Sequence, residues 1–89
     1  MINALVDGKV ARVGELKTSA SGKKFFQFSI STTVEKETIY VSCVTFEALA
    51  EIAALVSVGA NITAKGPVKM REYEGKYSLS MIVNEMVTL

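Results

Sequence analysis

The sequence predicts an all-β domain of five strands interrupted by one short helix between the third and fourth. In the second of these strands, Phe26, Phe28 and Ile30 alternate with Gln27, Ser29 and Ser31. A period of two is the mark of a strand with one buried face. The period changes to helical spacing only once, from Glu47 to Val56, where Leu49, Ile52, Ala53 and Val56 share a stripe free of proline and glycine. The chain has 89 residues, 49% of them hydrophobic and 21% charged. That is enough to bury one core and too little for two, so residues 1–89 read as a single domain.

Each element follows in order. Leu5 to Val13 is Val-rich and broken by Gly8, a residue at which a strand bulges or coils. Lys17 to Lys24 is small and polar, with Gly22 available for a positive φ, and reads as a hairpin turn. The second strand runs from Phe25 to Val34, and Glu35 to Glu37 turns the chain. In the third, Ile39 to Phe46, one face holds Ile39, Val41 and Cys43 and the other Tyr40, Val44 and Phe46. After the helix, Gly59 sits where a left-handed terminating residue is common. Alternation resumes in the fourth strand, with Ile62, Ala64, Gly66, Val68 and Met70 set against Thr63, Lys65, Pro67 and Lys69. Pro67 cannot donate a ladder hydrogen bond, so an edge or a bulge is expected there, and Gly66 beside it suggests a barrel corner. Tyr73 to Lys76 is a turn, and Tyr77 to Leu89 the last strand. Three strands, a helix and two strands is the order of the OB-fold, a five-stranded Greek-key barrel whose second and third strands commonly face oligonucleotides or oligosaccharides.

Composition excludes several classes of chemistry. Histidine is absent and Cys43 is the only cysteine, so there is no intrachain disulfide, histidine base or cysteine–histidine zinc cluster. Carboxylates alone, with no phosphate-binding glycine motif, give an enzyme little support, and no metal or cofactor is expected. The longest apolar stretch, Ala48 to Ala60, is interrupted by Glu51 and Ser57 and is too short to span a bilayer. No signal segment opens the chain, so a soluble cytoplasmic protein without a membrane partner is expected. A net charge of +1 generates no long-range field, which leaves the placement of the charges to decide. Cys43 shares a face with Ile39 and Val41 and reads as a buried, inert thiol. Met1, Met70, Met81 and Met86 read as core filling.

Three segments carry a resemblance: Glu15 to Gly22, Phe46 to Ala53 and Gly59 to Gly66. Their content, order and spacing resemble the bacterial and phage single-stranded DNA-binding proteins, over nearly the whole chain from about Asn3 to Leu89. The resemblance implies a protein that coats single-stranded DNA without sequence preference in replication, recombination or repair. It places Tyr40 and Tyr73 at base-stacking tryptophan positions and Phe46 at a stacking phenylalanine. Lys17, Lys69 and Arg71 fall at basic positions near the DNA path, and Lys65 joins Lys69 and Arg71 on one face by strand alternation. The family's remaining tryptophan has no counterpart among Glu35, Lys36 and Glu37, and Ser42 stands where the family often has arginine. Its Gly/Pro-rich linker and acidic C-terminal tail find no match before Leu89, so recruitment of other proteins by such a tail is not expected.

Each assignment has a plainer alternative. Tyr40 and Phe46 could pack beneath the helix or in a subunit interface, and Lys65, Lys69 and Arg71 could be a solvated strand face. Lys23 and Lys24 read most simply as charges at a hairpin tip. Relatives commonly assemble as dimers of dimers, and a partly closed barrel leaves strand edges exposed. A dimer or tetramer is therefore expected, with the first strand pairing with its own copy and Ile2, Leu5, Val6 and Phe25 at the interface. Phe25 could equally be a further stacking ring. A second functional reading is a scaffold subunit resembling the PriB primosome proteins, which act chiefly through protein contacts.

Overall fold

The computed structural model describes residues 2–88, with the side chains of Tyr73, Lys76 and Tyr77 outside the described set. Its elements are β1 (Ile2–Val13), β2 (Lys17–Thr18), β3 (Lys24–Val34), β4 (Glu37–Phe46), α1 (Glu47–Ala53), β5 (Asn61–Tyr73), β6 (Lys76–Ile82) and β7 (Glu85–Thr88). The barrel runs in the order β1-β3-β4-β6-β5 and closes by pairing β5 with β1. Within this circuit β4 and β6 are parallel and the other pairs antiparallel. This is the expected five-stranded barrel with one helix, and β2 and β7 are short additions to it.

Closure depends on β1 serving two partners. From Ile2 to Lys9 it pairs with β5, and from Lys9 to Val13 with β3. Gly8 stands at the exchange, where a Cβ would collide with the Ser31 carbonyl oxygen, so the glycine permits a close approach of backbones. The expected bulge is displaced: the register slips between Val10 and Arg12, leaving Ala11 as the extra residue.

A similar exchange occurs along β5. β5 pairs with β7 from Ile62 to Lys65 and with β6 from Val68 to Tyr73. Gly66 and Pro67 occupy the gap, so the missing proline N–H falls where β5 changes partner. A side chain at Gly66 would strike the Ile82 carbonyl oxygen. Val83 N–H donates to Val44 O at 2.9 Å and Asn84 N–H to Lys65 O at 2.8 Å, stitching the break between β6 and β7.

The interior is filled by the alternating apolar residues. Val10, Phe26, Phe28, Ile30, Val41, Cys43, Ile62, Ala64, Met81 and Val83 are buried, with Ala50 and Ala53 of α1 joining them. Among the described residues Thr45 is the buried polar one, and its Oγ1 donates to Phe26 O at 3.1 Å. Burial pushes the Cys43 thiol up to about 12, and its Sγ contacts Val41 O at 3.7 Å.

Three expectations are corrected. The helix ends at Ala53 rather than Val56, and Leu55 N–H and Val56 N–H donate to carbonyls three residues back. Ile52 is exposed, because α1 turns its small residues Ala50 and Ala53 onto the barrel. Met70 is also exposed, since the β5–β6 hairpin runs past the barrel wall and leaves its inward parity without a core to meet. Met1 lies outside the described residues.

Candidate nucleic-acid interface

Residues directly opposite one another in a β-ladder point to the same side of the sheet, so the strand registers define the rows of the outer face. One row is Lys17, Phe25 and Phe46 across β2, β3 and β4. The next is Gln27, Val44 and Ile82. A third crosses five strands as Arg12, Ser29, Ser42, Ser80 and Lys69. The fourth holds Lys9, Ser31 and Tyr40, with Ser78 and Arg71 continuing at the same level on β6 and β5. No position in these rows is acidic. On the outside of the closed barrel these rows put Lys69 and Arg71 on β5 beside the strands that carry the rings, with Lys9 and Arg12 farther round on β1.

Aromatic rings bracket this face along β4. Tyr40 is 62% exposed and Phe46 36% exposed, and at about 3.3 Å per residue their six-residue separation spans roughly 20 Å. Neither ring packs under the helix. Between them lies a groove of about 580 Å³ whose walls include Ser42, Val44, Pro67, Lys69, Arg71, Ser80 and Ile82. Its floor is apolar with a cationic wall. Flat rings for bases and cations for phosphates, set on one surface, are the elements that hold an extended single strand.

The candidate residues separate into those inside this arrangement and those beside it. Tyr40, Phe46, Lys17, Lys69 and Arg71 all lie in the rows. Lys65 lies apart: it opposes Leu5 on β1 and Glu85 on β7, away from the groove. Tyr73 continues the parity of Lys69 and Arg71 and pairs with Lys76 at the hairpin end, but its side chain lies outside the described residues. Of the interface candidates, Ile2 and Leu5 are exposed, whereas Val6 is half-buried and packs against the core, in register with Ala64. Phe25 is half-buried beside Phe46 and Lys17 on the ring-bearing face.

Three cations of this surface were not among the candidates. Lys9 and Arg12 are three apart, which places them on opposite faces of a regular strand. The bulge at Ala11 restores their common side, and nothing in a period-two pattern signals it. Lys23 holds its ammonium 4.9 Å from the centroid of the Phe46 ring, within the range of a cation–π contact. Its neighbour Lys24 instead bonds Glu51 Oε1 of α1 at 2.6 Å, and that hydrogen bond and the carboxylate charge raise the lysine pKa.

Among the described residues no three metal-ligating side chains gather, and no helix is long and apolar enough to cross a membrane. In sequence, no curated protein matches the chain. Among solved structures, it is similar to the single-stranded DNA-binding protein of Thermus aquaticus, both a deletion mutant (TM-score 0.82) and the wild type (TM-score 0.80), each at 13% identity. Those matches cover 100% of this chain and 41% and 40% of theirs, so it spans about two-fifths of their length. The SSB domain of a Synechococcus sp. protein is similar with a TM-score of 0.80 at 9% identity, covering 97% of this chain and 93% of that one. At such identities the likeness is one of fold. The family model described as the single-strand binding protein family matches residues 1–89, and with the OB barrel and its ring-bracketed cationic face this chain belongs to that family.

Proposed function

We propose that this domain binds single-stranded DNA without sequence preference, laying the strand across the outer face of β3, β4, β6 and β5. The observation that carries the reading is the acid-free set of rows in which Tyr40 and Phe46 bracket Lys69, Arg71 and the serine positions. Every base offers a π-face, so stacking on Tyr40 and Phe46 is indifferent to sequence. A duplex has its bases already stacked and gains nothing from the rings. Serine side chains between the ring sites leave room for a backbone to lie close to the sheet. In this role the protein does no chemistry; it covers strands exposed in replication, recombination or repair.

Titration with an oligothymidylate and with a duplex of equal length, each at several salt concentrations, tests the proposal. Single-strand binding should be tighter and should fall with salt by roughly 0.7 in log–log slope per phosphate neutralised, so full use of Lys9, Arg12, Lys17, Lys23, Lys69 and Arg71 gives a slope of about −4. Equal affinity for the two would favour a scaffold role through protein contacts instead.

A further inference from the structure

Two adjacent lysines, Lys23 just before β3 and Lys24 as its first residue, are used in opposite directions. Lys23 has the outward parity of Phe25, and its ammonium lies 4.9 Å from the Phe46 ring centroid. Lys24 has the inward parity of Phe26, and its Nζ lies 2.6 Å from Glu51 Oε1 on α1, 27 residues along the chain. The turn before them is closed by its own bonds. Ser19 N–H donates to Lys23 O at 2.8 Å, Gly22 N–H to Ser19 O at 2.9 Å, and Lys23 N–H to Ser19 Oγ at 3.1 Å. Two residues of β2 are too little strand to hold a hairpin by themselves. The Gly14 N–H to Gln27 O bond at 2.9 Å and the β3–β4 ladder hold its base, and the Lys24–Glu51 pair adds a side-chain link from its β3 arm to α1.

From this geometry we infer that Lys23 is a displaceable cover for Phe46 that moves to a DNA phosphate when a base takes the ring, and that Lys24 with Glu51 positions it. The inference rests on the reading of single-strand binding. A cation over an exposed ring is held less strongly than a base stacked on the same face, so the base displaces the ammonium. A stacked nucleotide carries its phosphate beside the ring, within reach of the lysine just released. Lys24 is a positioning residue: its charge is engaged by Glu51 and it faces the helix rather than the strand.

The test uses the full chain with oligothymidylate at a series of salt concentrations, for the wild type, Lys23→Met, Lys24→Met and the double variant. Both substitutions are at exposed positions. Lys23→Met should lower the salt slope by about 0.7, the share of one phosphate contact on a single strand. Lys24→Met should weaken binding several-fold, and the double variant should bind no more weakly than Lys23→Met alone. In the free protein, NMR should find the Lys23 methylene protons shifted upfield by the Phe46 ring, with the shift lost in Phe46→Leu, reduced in Glu51→Gln and relieved by DNA. An unchanged slope in Lys23→Met, additive losses in the double variant, or unshifted Lys23 protons would each overturn the inference. A wild type that binds no oligonucleotide overturns the reading of function itself, whereas binding with an unchanged slope removes only the role of Lys23.

Discussion

Tyr40 and Phe46 occupy different surroundings on one strand. Tyr40 stands clear at the level of Ser31, while Phe46 is flanked by Phe25 and approached by Lys23. Tyr40→Ala therefore removes a ring and little else. It should weaken oligothymidylate binding by about 1–3 kcal/mol with an unchanged melting temperature. Phe46→Ala should weaken binding by a similar amount and also lower the melting temperature slightly, because Phe25 loses its cross-strand neighbour. If either variant unfolds more readily yet binds as before, the rings are structural. Cys43 makes the opposite kind of residue-scale prediction. Its folded thiol sits at about 12 against an ordinary 9.0 because burial disfavours the thiolate. The unfolded chain thus loses its proton first as pH rises. The contribution is intact below pH 9 and declines toward pH 12, by up to about 1.4 kcal/mol per pH unit. Urea unfolding of the wild type and Cys43→Val across that window should diverge, with the wild type losing stability faster. Parallel curves would mean that the thiol ionises freely in the folded protein.

At the scale of elements, β1 and β5 decide whether the barrel closes. Each has two partners, and each exchange passes through a glycine whose missing Cβ lets another backbone approach. Gly66 has the tighter surroundings, with the Ile82 carbonyl in the space a side chain would take. Gly66→Ala must push β5 from β6 just where Pro67 has already removed a donor. A loss of about 3 kcal/mol is expected, or roughly 12–24 °C in melting temperature for a chain of this size. Calorimetry checks it, and a loss below 1 kcal/mol would show that the strands can part there without consequence. The helix contributes less specificity. It buries Ala50 and Ala53 against the barrel with Leu49 and Val56 partly buried beside them, while Ile52 and Leu55, the latter 84% exposed, face away.

The whole molecule measures 39 × 30 × 21 Å, elongated because the β3–β4 and β5–β6 hairpins run beyond the closed part of the barrel. From Ile2 to Asp7, β1 is paired on its β5 side only, since its ladder with β3 begins at Lys9. An unpaired edge of this length invites another strand, and Leu5, 66% exposed, stands on it. We propose that two copies pair their β1 edges across a twofold axis, giving a dimer or a tetramer built from dimers. Sedimentation equilibrium at tens of micromolar should find an assembly, and Leu5→Asp should shift it toward monomer. A wild-type monomer at that concentration would sink the proposal. Val6, packed inward, belongs to the fold of each copy rather than to the contact.

Much of this architecture was legible along the chain because period-two alternation is local. It assigned Phe26, Phe28 and Ile30, and Val41 and Cys43, to the interior, and put Tyr40, Phe46, Lys69 and Arg71 on the opposite side before any strand was paired. The switch of period placed the helix, and Gly66 with Pro67 marked a corner. Lateral neighbours were not legible, because they follow from register and closure, which join residues far apart in sequence. Register brought Phe25 beside Phe46 and set Lys65 against Glu85 rather than in the groove. One inserted residue at Ala11 turned Lys9 and Arg12 to the same side. Contact with α1 drew Lys24 away from Lys23, so two identical side chains in succession point at a carboxylate and at a ring. Alternation within a strand says which side a residue faces; only the closed barrel decides what it faces there.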